Sequence, residues 1–338
     1  MAKKPFRGNY LTLENVRISY DTKTDTVHLT SKDKDIPKGK GFHLTLADGR
    51  DAEYTLRGML ENAGLIPEDQ FKTMPTMLPL DESVKESVWD EFVLGVGARA
   101  KEIVWNPTQS PNILLTGATG GGKSVIQRNL IFHCIQHSDR WRFLGIDLKR
   151  VELSPYIKYD PAVMGIAKNL EDAVEIIRYV NEEMMSRYDQ MENLGVNNFK
   201  DLPDMPYAIM VMIDESYMLL APSDFQTDEA KAQDMLRKEA RQRIADIVRL
   251  GRAAGIHLVL STQRPDPSFL TPALRENFTT RIVAGRVSTE HSRAALENDN
   301  ASRINSSIRG RSYIQEFGVG KEFQSYFAPQ DWIDDKLA

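Results

Sequence analysis

The sequence predicts an α/β protein built on a parallel sheet, preceded by a small α/β module. Three observations carry this reading. From about Leu80 onward, short apolar runs alternate with long helical patterns. Most of those runs are apolar without the in-and-out alternation of a half-exposed strand, so both of their faces must be covered. Residues 9–65 instead show period-two alternation broken by turn residues. At ~150 residues per domain, a chain of 338 residues holds about two. These are taken as a module and linker over 1–79 and a larger domain over 80–338.

In the module, Val16, Ile18 and Tyr20, then Val27 and Leu29, flank the polar turn from Asp21 to Asp25, which predicts a hairpin. A second strand pair is expected around Ala47 to Gly49, and a short helix ends at Gly64 ahead of Pro67. Three prolines between Pro67 and Pro79 mark a linker. In the larger domain the expected strands are Asn112–Thr116, Arg142–Asp147, Tyr207–Ile213, Ile256–Ser261 and Arg281–Ala284. Helices are expected over Ser124–His137, Leu170–Leu194, Leu236–Ala253 and Thr289–Leu296. In the second helix Ala173, Ile177, Val180, Met184, Tyr188 and Met191 recur at helical spacing and form a core stripe, with Asn169 as cap and Gly195 as stop.

Composition excludes several classes. A single cysteine, Cys134, rules out an intrachain disulfide framework and cysteine-rich zinc sites and suits a reducing compartment, the cytoplasm by default. The lysines of MAKKPFRGNY have no apolar stretch behind them, so no signal peptide is expected. No run approaches the ~20 apolar residues of a membrane span, so an anchor would come from another protein. A net charge of −5 argues against a generic basic nucleic-acid coat.

The most specific motif is GATGGGKS, Gly117 to Ser124, which fits G-x-x-x-x-G-K-[ST] between an apolar strand and a helix. Gly117, Ala118, Thr119, Gly120, Gly121 and Gly122 would let backbone N–H groups turn toward phosphate oxygens, and the following helix aims its positive end at the same place. Lys123 would reach the β and γ phosphates of ATP, and Ser124 would place a hydroxyl on Mg²⁺. The run YAIMVMIDE supplies the acids such a site needs: Asp214 as metal partner and Glu215 as the base that orients or deprotonates water. After IHLVLS, Gln263 is the polar residue expected at the γ-phosphate or the lytic water.

At this point the chain resembles the FtsK/SpoIIIE family of DNA-translocating motors. LLTGATGGGKSV, including Val125, is similar to the family's Walker A segment. GIDLKRVELSPY from Gly145, SRYDQMENLGVNNF from Ser186, GRAAGIHLVLSTQRPD from Gly251 and LRENFTTRIVAGRVSTEHSRAAL from Leu274 follow further family segments, so the resemblance covers roughly residues 90 to 327. It implies a RecA-like core, assembly as a homo-oligomer in a hexameric ring around double-stranded DNA, and ATP bound between subunits. It further implies an arginine acting in trans, with Arg281 expected first and Arg286 and Arg293 in reserve. A pore segment is expected in PDPSFLTPALRENF, with Arg275 as the leading DNA-phosphate contact. The chain stops at Ala338, so the sequence-reading winged helix of chromosomal members is expected to be lacking, as in compact phage and plasmid relatives.

Two other readings remain at this stage. Secretion motors related to the family move polypeptide, but they carry glutamate after the Walker A serine and AspPheLysGlyGly on the second strand, where this chain has Val125 and AspLeuLysArgValGlu. A nucleotide-dependent assembly or DNA-binding factor would have little use for Glu215. The charge is also unevenly spread. Arg237 to Arg311 holds fourteen Lys and Arg against seven Asp and Glu, a surplus of seven, which leaves −12 on the remainder. A basic lumen inside an acidic exterior is the expectation.

Overall fold

The computed structural model describes residues 78, 80, 88–98, 101–222, 227–266, 268–329 and 333–334, together with the backbone of three N-terminal strands. The chain divides into two units, Met1–Pro75 with Ala98–Lys101, and Thr76–Gly97 with Glu102–Ala338. In the first unit β1 (Tyr10–Leu13), β2 (Val16–Asp21) and β3 (Thr26–Ser31) form an antiparallel sheet in that order. The β2–β3 hairpin has the expected alternation in register, with Ile18 opposite Leu29 and Tyr20 opposite Val27. The strand pair near Ala47, the helix ended by Gly64 and the three linker prolines lie outside the described residues.

The second unit carries a ten-stranded sheet. Its strands are β4 (Phe92–Gly97), β5 (Glu102–Trp105), β6 (Ile113–Gly117), β7 (Trp141–Asp147), β8 (Val163–Ala167), β9 (Ala208–Asp214), β10 (Ile256–Thr262), β11 (Thr280–Ala284), β12 (Arg311–Glu316) and β13 (Val319–Ser325). The order is β5-β4-β13-β12-β11-β6-β10-β9-β7-β8. From β11 to β8 every neighbour is parallel, and from β11 to β5 every neighbour is antiparallel. All five expected strands are present, shifted at either end by a residue at most. The strands β4, β5, β8, β12 and β13 were not anticipated.

The helices of this unit are α1 (Lys123–Gln136), α2 (Leu170–Leu194), α3 (Ser216–Leu220), α4 (Asp228–Ala254), α5 (Pro272–Arg275) and α6 (Thr289–Leu296). Asn169 caps α2 by accepting from the Asp172 N–H, and Gly195 ends it in the left-handed conformation, as the spacing predicts. Of its stripe, Ala173, Ile177, Val180, Met184 and Met191 are buried, while Tyr188 is partly buried and donates its hydroxyl to Leu250 O at 2.8 Å. Helix α4 starts eight residues earlier than expected. The apolar pattern fades there, and the start is set by Thr227, which accepts from Ala230 N, with Asp228 and Glu229 in the first turn.

Helices α2 and α4 cover one face of the parallel strands. Leu144, Ile146, Val211, Ile213, Leu258 and Leu260 join residues of both helices in one core. On the other face, Cys134 of α1 lies 3.8 Å from the sulfur of Met210, and Phe92 sits between Trp105, His133 and Trp141 with ring centroids 3.9 to 5.1 Å away. Burial on both faces explains the unbroken apolar runs of β6, β9, β10 and β11. The parallel strands all end at one edge, and register ties those ends together: Gly117 opposite Ala284, Thr116 opposite Thr262, and Asp147 opposite Asp214.

Candidate active site

The loop after β6 is tight where it meets β11, at Gly117 and Gly121. A methyl group at Gly121 would sit 2.3 Å from Ala284 O, so the glycine lets the loop lie directly on the end of β11. Gly122 has φ 108° and ψ 8°, a left-handed geometry that turns the chain into α1. Ala118, Thr119 and Gly120 are exposed at the tip, Ser124 and Val125 are half-buried, and the first turn of α1 closes with Val125 N donating to Gly122 O at 3.1 Å. The N–H groups of Lys123 and Ser124, ahead of that bond, have no intrahelical acceptor, which suits the start of α1 to an anion.

Lys123 is the first residue of α1 and is buried. Its Nζ lies 2.6 Å from Asp214 Oδ1 and donates to Ser261 Oγ at 3.0 Å. Gln127, one turn later on the same helix face, donates to the same Asp214 oxygen at 3.0 Å. Among the described residues, both hydrogen bonds to Asp214 fall on Oδ1. Breaking one side of so buried an ion pair typically costs about 3–5 kcal/mol.

Glu215 follows at the end of β9 with φ 50° and ψ 60°, a left-handed conformation that costs a non-glycine residue roughly 1–3 kcal/mol. Surrounding contacts hold it there. Its Oε1 accepts from Thr262 Oγ1 at 3.2 Å and from Gln263 N at 3.1 Å, and its Oε2 lies 3.0 Å from Lys149 Nζ. The side-chain oxygen of Gln263 accepts in turn from Thr119 Oγ1 of the loop at 3.1 Å. The loop, the end of β10 and the acid after β9 thus form one connected polar chain. Strand β10 lies between the loop strand β6 and the acid strand β9.

The two leading arginines sit elsewhere. Arg281 lies in the first half of β11, opposite Leu114 of β6, and is only 8% exposed. It donates to Phe278 O and Arg275 O and pairs with Glu297 at 3.4 Å. Arg275 pairs with the same carboxylate at 3.3 Å and donates to Ala294 O at 2.8 Å. Glu297 reaches both because it closes α6 in the left-handed conformation. Much of the expected pore segment is core, with Phe269, Leu270, Leu274 and Phe278 buried. The basic surplus from Arg237 to Arg311 is also partly spent inside the chain: Arg237, Arg243, Arg249, Arg303 and Arg311 all have carboxylate partners. Arg264, Arg286, Arg293 and Arg309 are exposed. Arg286 follows Gly285, which lies against Gly121, and Arg309 precedes Gly310, which lies against Gly122.

Sequence reasoning missed Gln127, Lys149, Ser261 and Thr262. Gln127 was signalled by its spacing of four from Lys123, and Ser261 and Thr262 by their place at the end of an apolar strand. Lys149 stood inside the segment GIDLKRVELSPY without a role of its own, because its partner is 66 residues away in the chain.

A strand, a glycine loop, a helix opening on lysine, and a neighbouring strand that ends in two acids define a P-loop ATPase core of the RecA-like kind, with a further strand between loop and acids. Residues 85–220 match the model of the FtsK/SpoIIIE family, and this segment belongs to that family. The chain is 31% identical over 219 residues to the DNA translocase FtsK of Borreliella burgdorferi, covering 63% of this chain and 27% of that protein. It is 30% identical over 257 residues to the DNA translocase SftA of Bacillus subtilis, covering 71% of this chain and 25% of that protein. The chain thus spans about a quarter of the length of these curated relatives. A solved structure of the pCW3 conjugation coupling protein TcpA, in monomer form with ATPγS, has a TM-score of 0.70 at 25% identity, over 78% of this chain and 74% of that one. The cytoplasmic domain of the type VII secretion ATPase EccC from Thermomonospora curvata has a TM-score of 0.60 at 20% identity, over 77% of this chain and 33% of that one, a likeness of fold alone. Among the described residues, no helix is long and apolar enough to cross a membrane.

Proposed function

We propose that this chain is an ATP-hydrolysing translocase of double-stranded DNA that works as a homo-oligomeric ring. The observation that carries the reading is the polar chain from Thr119 through Gln263 to Glu215, which joins the phosphate loop to a buried carboxylate beside it. A protein that only binds nucleotide has no need to hold a strained acid in that place. The FtsK and SftA relatives and the conjugation coupling protein support DNA as the substrate.

In this reading the loop from Gly117 to Val125 binds the phosphates of ATP through those of its N–H groups that its own carbonyls do not take up, and Lys123 leaves Asp214 for the β and γ phosphates. Ser124 and Asp214 are the residues that would hold Mg²⁺, which supplies Lewis-acid stabilisation of the phosphate charge. The donor set suits the ion, because it joins a hydroxyl at the helix start to a buried carboxylate whose hydrogen bonds, among the described residues, leave Oδ2 uncommitted. Glu215 orients the attacking water and takes its proton, and the Gln263 side chain senses the γ-phosphate side of the loop.

For the arginine that acts in trans, the exposed Arg293 and Arg286 fit better than Arg281, whose guanidinium is taken up by its own chain. Arg286 lies beside its own phosphate loop, so Arg293 is the better candidate to reach a neighbour. DNA contact falls to exposed arginines such as Arg264, next to Gln263, while Arg275 must first leave Glu297.

ATPase turnover of the purified protein, with and without long linear double-stranded DNA, tests this. The expected result is stimulation by DNA that is lost in Lys123→Ala and Glu215→Gln. The same rate with and without DNA would overturn the DNA reading, and hydrolysis unaffected by either substitution would overturn the site. For the trans residue, mixtures of Arg293→Ala with Lys123→Ala subunits should regain part of the activity that each lacks alone. Recovery only in Arg281→Ala mixtures would restore the original assignment.

A further inference from the structure

The two acids at the end of β9 each have a lysine of their own. Asp214 pairs with Lys123 of the phosphate loop, whereas Glu215 pairs with Lys149, two residues past the end of β7. Strand β7 is the neighbour of β9 on the side away from β10, and the register of Asp147 with Asp214 brings the β7–β8 connection against Glu215. The carboxylate is therefore held from both flanks: Lys149 on Oε2, and Thr262 with Gln263 on Oε1.

This division of labour has a consequence for turnover. Once phosphate draws Lys123 away, Asp214 has a cation of another kind to face, but Glu215 has only Lys149 as an ion-pair partner among the described residues. A carboxylate with 7% of its side chain exposed has little water to hold it, and without the Lys149 contact at 3.0 Å its Oε2 loses the partner that fixes its direction. Lys149 is 41% exposed, so it belongs to the rim of the site, and the cation rather than tight packing is what it contributes.

We propose that Lys149 is a positioning residue for ATP hydrolysis, which fixes the Glu215 carboxylate beside the phosphate loop without itself touching the nucleotide. The proposal rests on the reading of Glu215 as the base, and it predicts that Lys149 acts on kcat and not on nucleotide binding. It also predicts that the effect passes wholly through Glu215.

The test uses the full chain as Lys149→Met, Lys149→Gln and Lys149→Arg, alongside Glu215→Gln and the double variant Lys149→Met with Glu215→Gln. ATP turnover is followed in steady state and single turnover, and affinity is followed with a fluorescent ATPγS analogue. A positioned base is worth about 10²–10⁴-fold, of which loss of its holder should forfeit about tenfold in kcat. Both neutral variants should show that loss with affinity within about twofold of wild type, and Lys149→Arg should recover most of it. In the Glu215→Gln background, Lys149→Met should change turnover by less than about twofold, since residues that act through one another are not additive. Wild-type kcat in both neutral variants would overturn the proposal, as would a parallel loss of nucleotide affinity or a full tenfold loss added to Glu215→Gln. If Glu215→Gln itself hydrolyses ATP like wild type, the base assignment fails, which is a separate outcome from failure of Lys149.

Discussion

The sheet has two halves that differ in what they do. In the parallel half, from β11 to β8, the strand ends gather the phosphate loop, both acids, Gln263 and Lys149 at one edge. In the antiparallel half, from β12 to β5, the large side chains turn inward: Phe92 and Trp105 are buried against Trp141 of β7 and His133 and His257. One half carries the candidate site, and the other carries apolar ballast that packs on β7, β10 and α1. The separation follows from topology, since parallel strands with helical crossovers bring all their carboxyl ends to one side while antiparallel hairpins alternate.

The largest effects should come from the parallel edge. Replacing Glu215 by Gln should lower kcat by about 10²–10⁴-fold while nucleotide affinity is retained, as read by paired turnover and binding assays. Equal losses in both would show that the acid is structural and would blur the distinction between the halves. Phe92→Ala, in the other half, should lower unfolding free energy by about 3–5 kcal/mol in denaturant titration. Turnover per folded molecule should stay close to wild type, and a specific loss of kcat there would break the comparison.

A third effect is smaller at neutral pH and grows in acid. Burial lowers the imidazoles of both His133 and His257 to about 3, below their ordinary value of 6.5. Between those values the unfolded chain binds protons that the folded chain refuses, so stability rises with pH across this window and is lost as pH falls from about 6.5 toward 3. Denaturation midpoints measured from pH 7 to pH 4 should fall steadily. His257→Gln should flatten the slope, and an unchanged slope would place the acid sensitivity elsewhere.

The smallest effect concerns the arginine pair. Glu297 is 54% exposed, so its pairs with Arg275 and Arg281 are screened, and Glu297→Gln should cost under about 1 kcal/mol of stability. Its readout is DNA affinity, which should rise modestly and become steeper in salt as Arg275 is released. If affinity does not change, Arg275 is a structural residue only.

The two halves were also unequally legible. Strands β6, β7, β9, β10 and β11 announced themselves because burial on both faces forces runs such as AIMVMID and IHLVLS. Strand β13, VGKEFQS, exposes Val319 and Lys321 while it buries Gln324 and Ser325 beside Phe323, and β5 has only four residues, so neither stands out from loop. The loop lysine and the two acids were readable because their chemistry demands a fixed spacing or a strand end. Residues whose role is set by a distant partner were not: Lys149 needs Glu215, and Arg275 and Arg281 find Glu297 only because a helix ends there in a left-handed turn. In the basic stretch, Arg237, Arg243 and Arg249 have carboxylate partners on neighbouring turns, which the charge count alone did not reveal.

Displacement of a third strand from a triplex at the end of a long linear duplex reads movement along DNA directly. Wild-type protein with ATP should strip the third strand, whereas Glu215→Gln, or wild type with ATPγS, should leave it in place. A wild-type protein that hydrolyses ATP in the presence of the duplex, yet leaves the triplex intact at every protein concentration, would contradict the account.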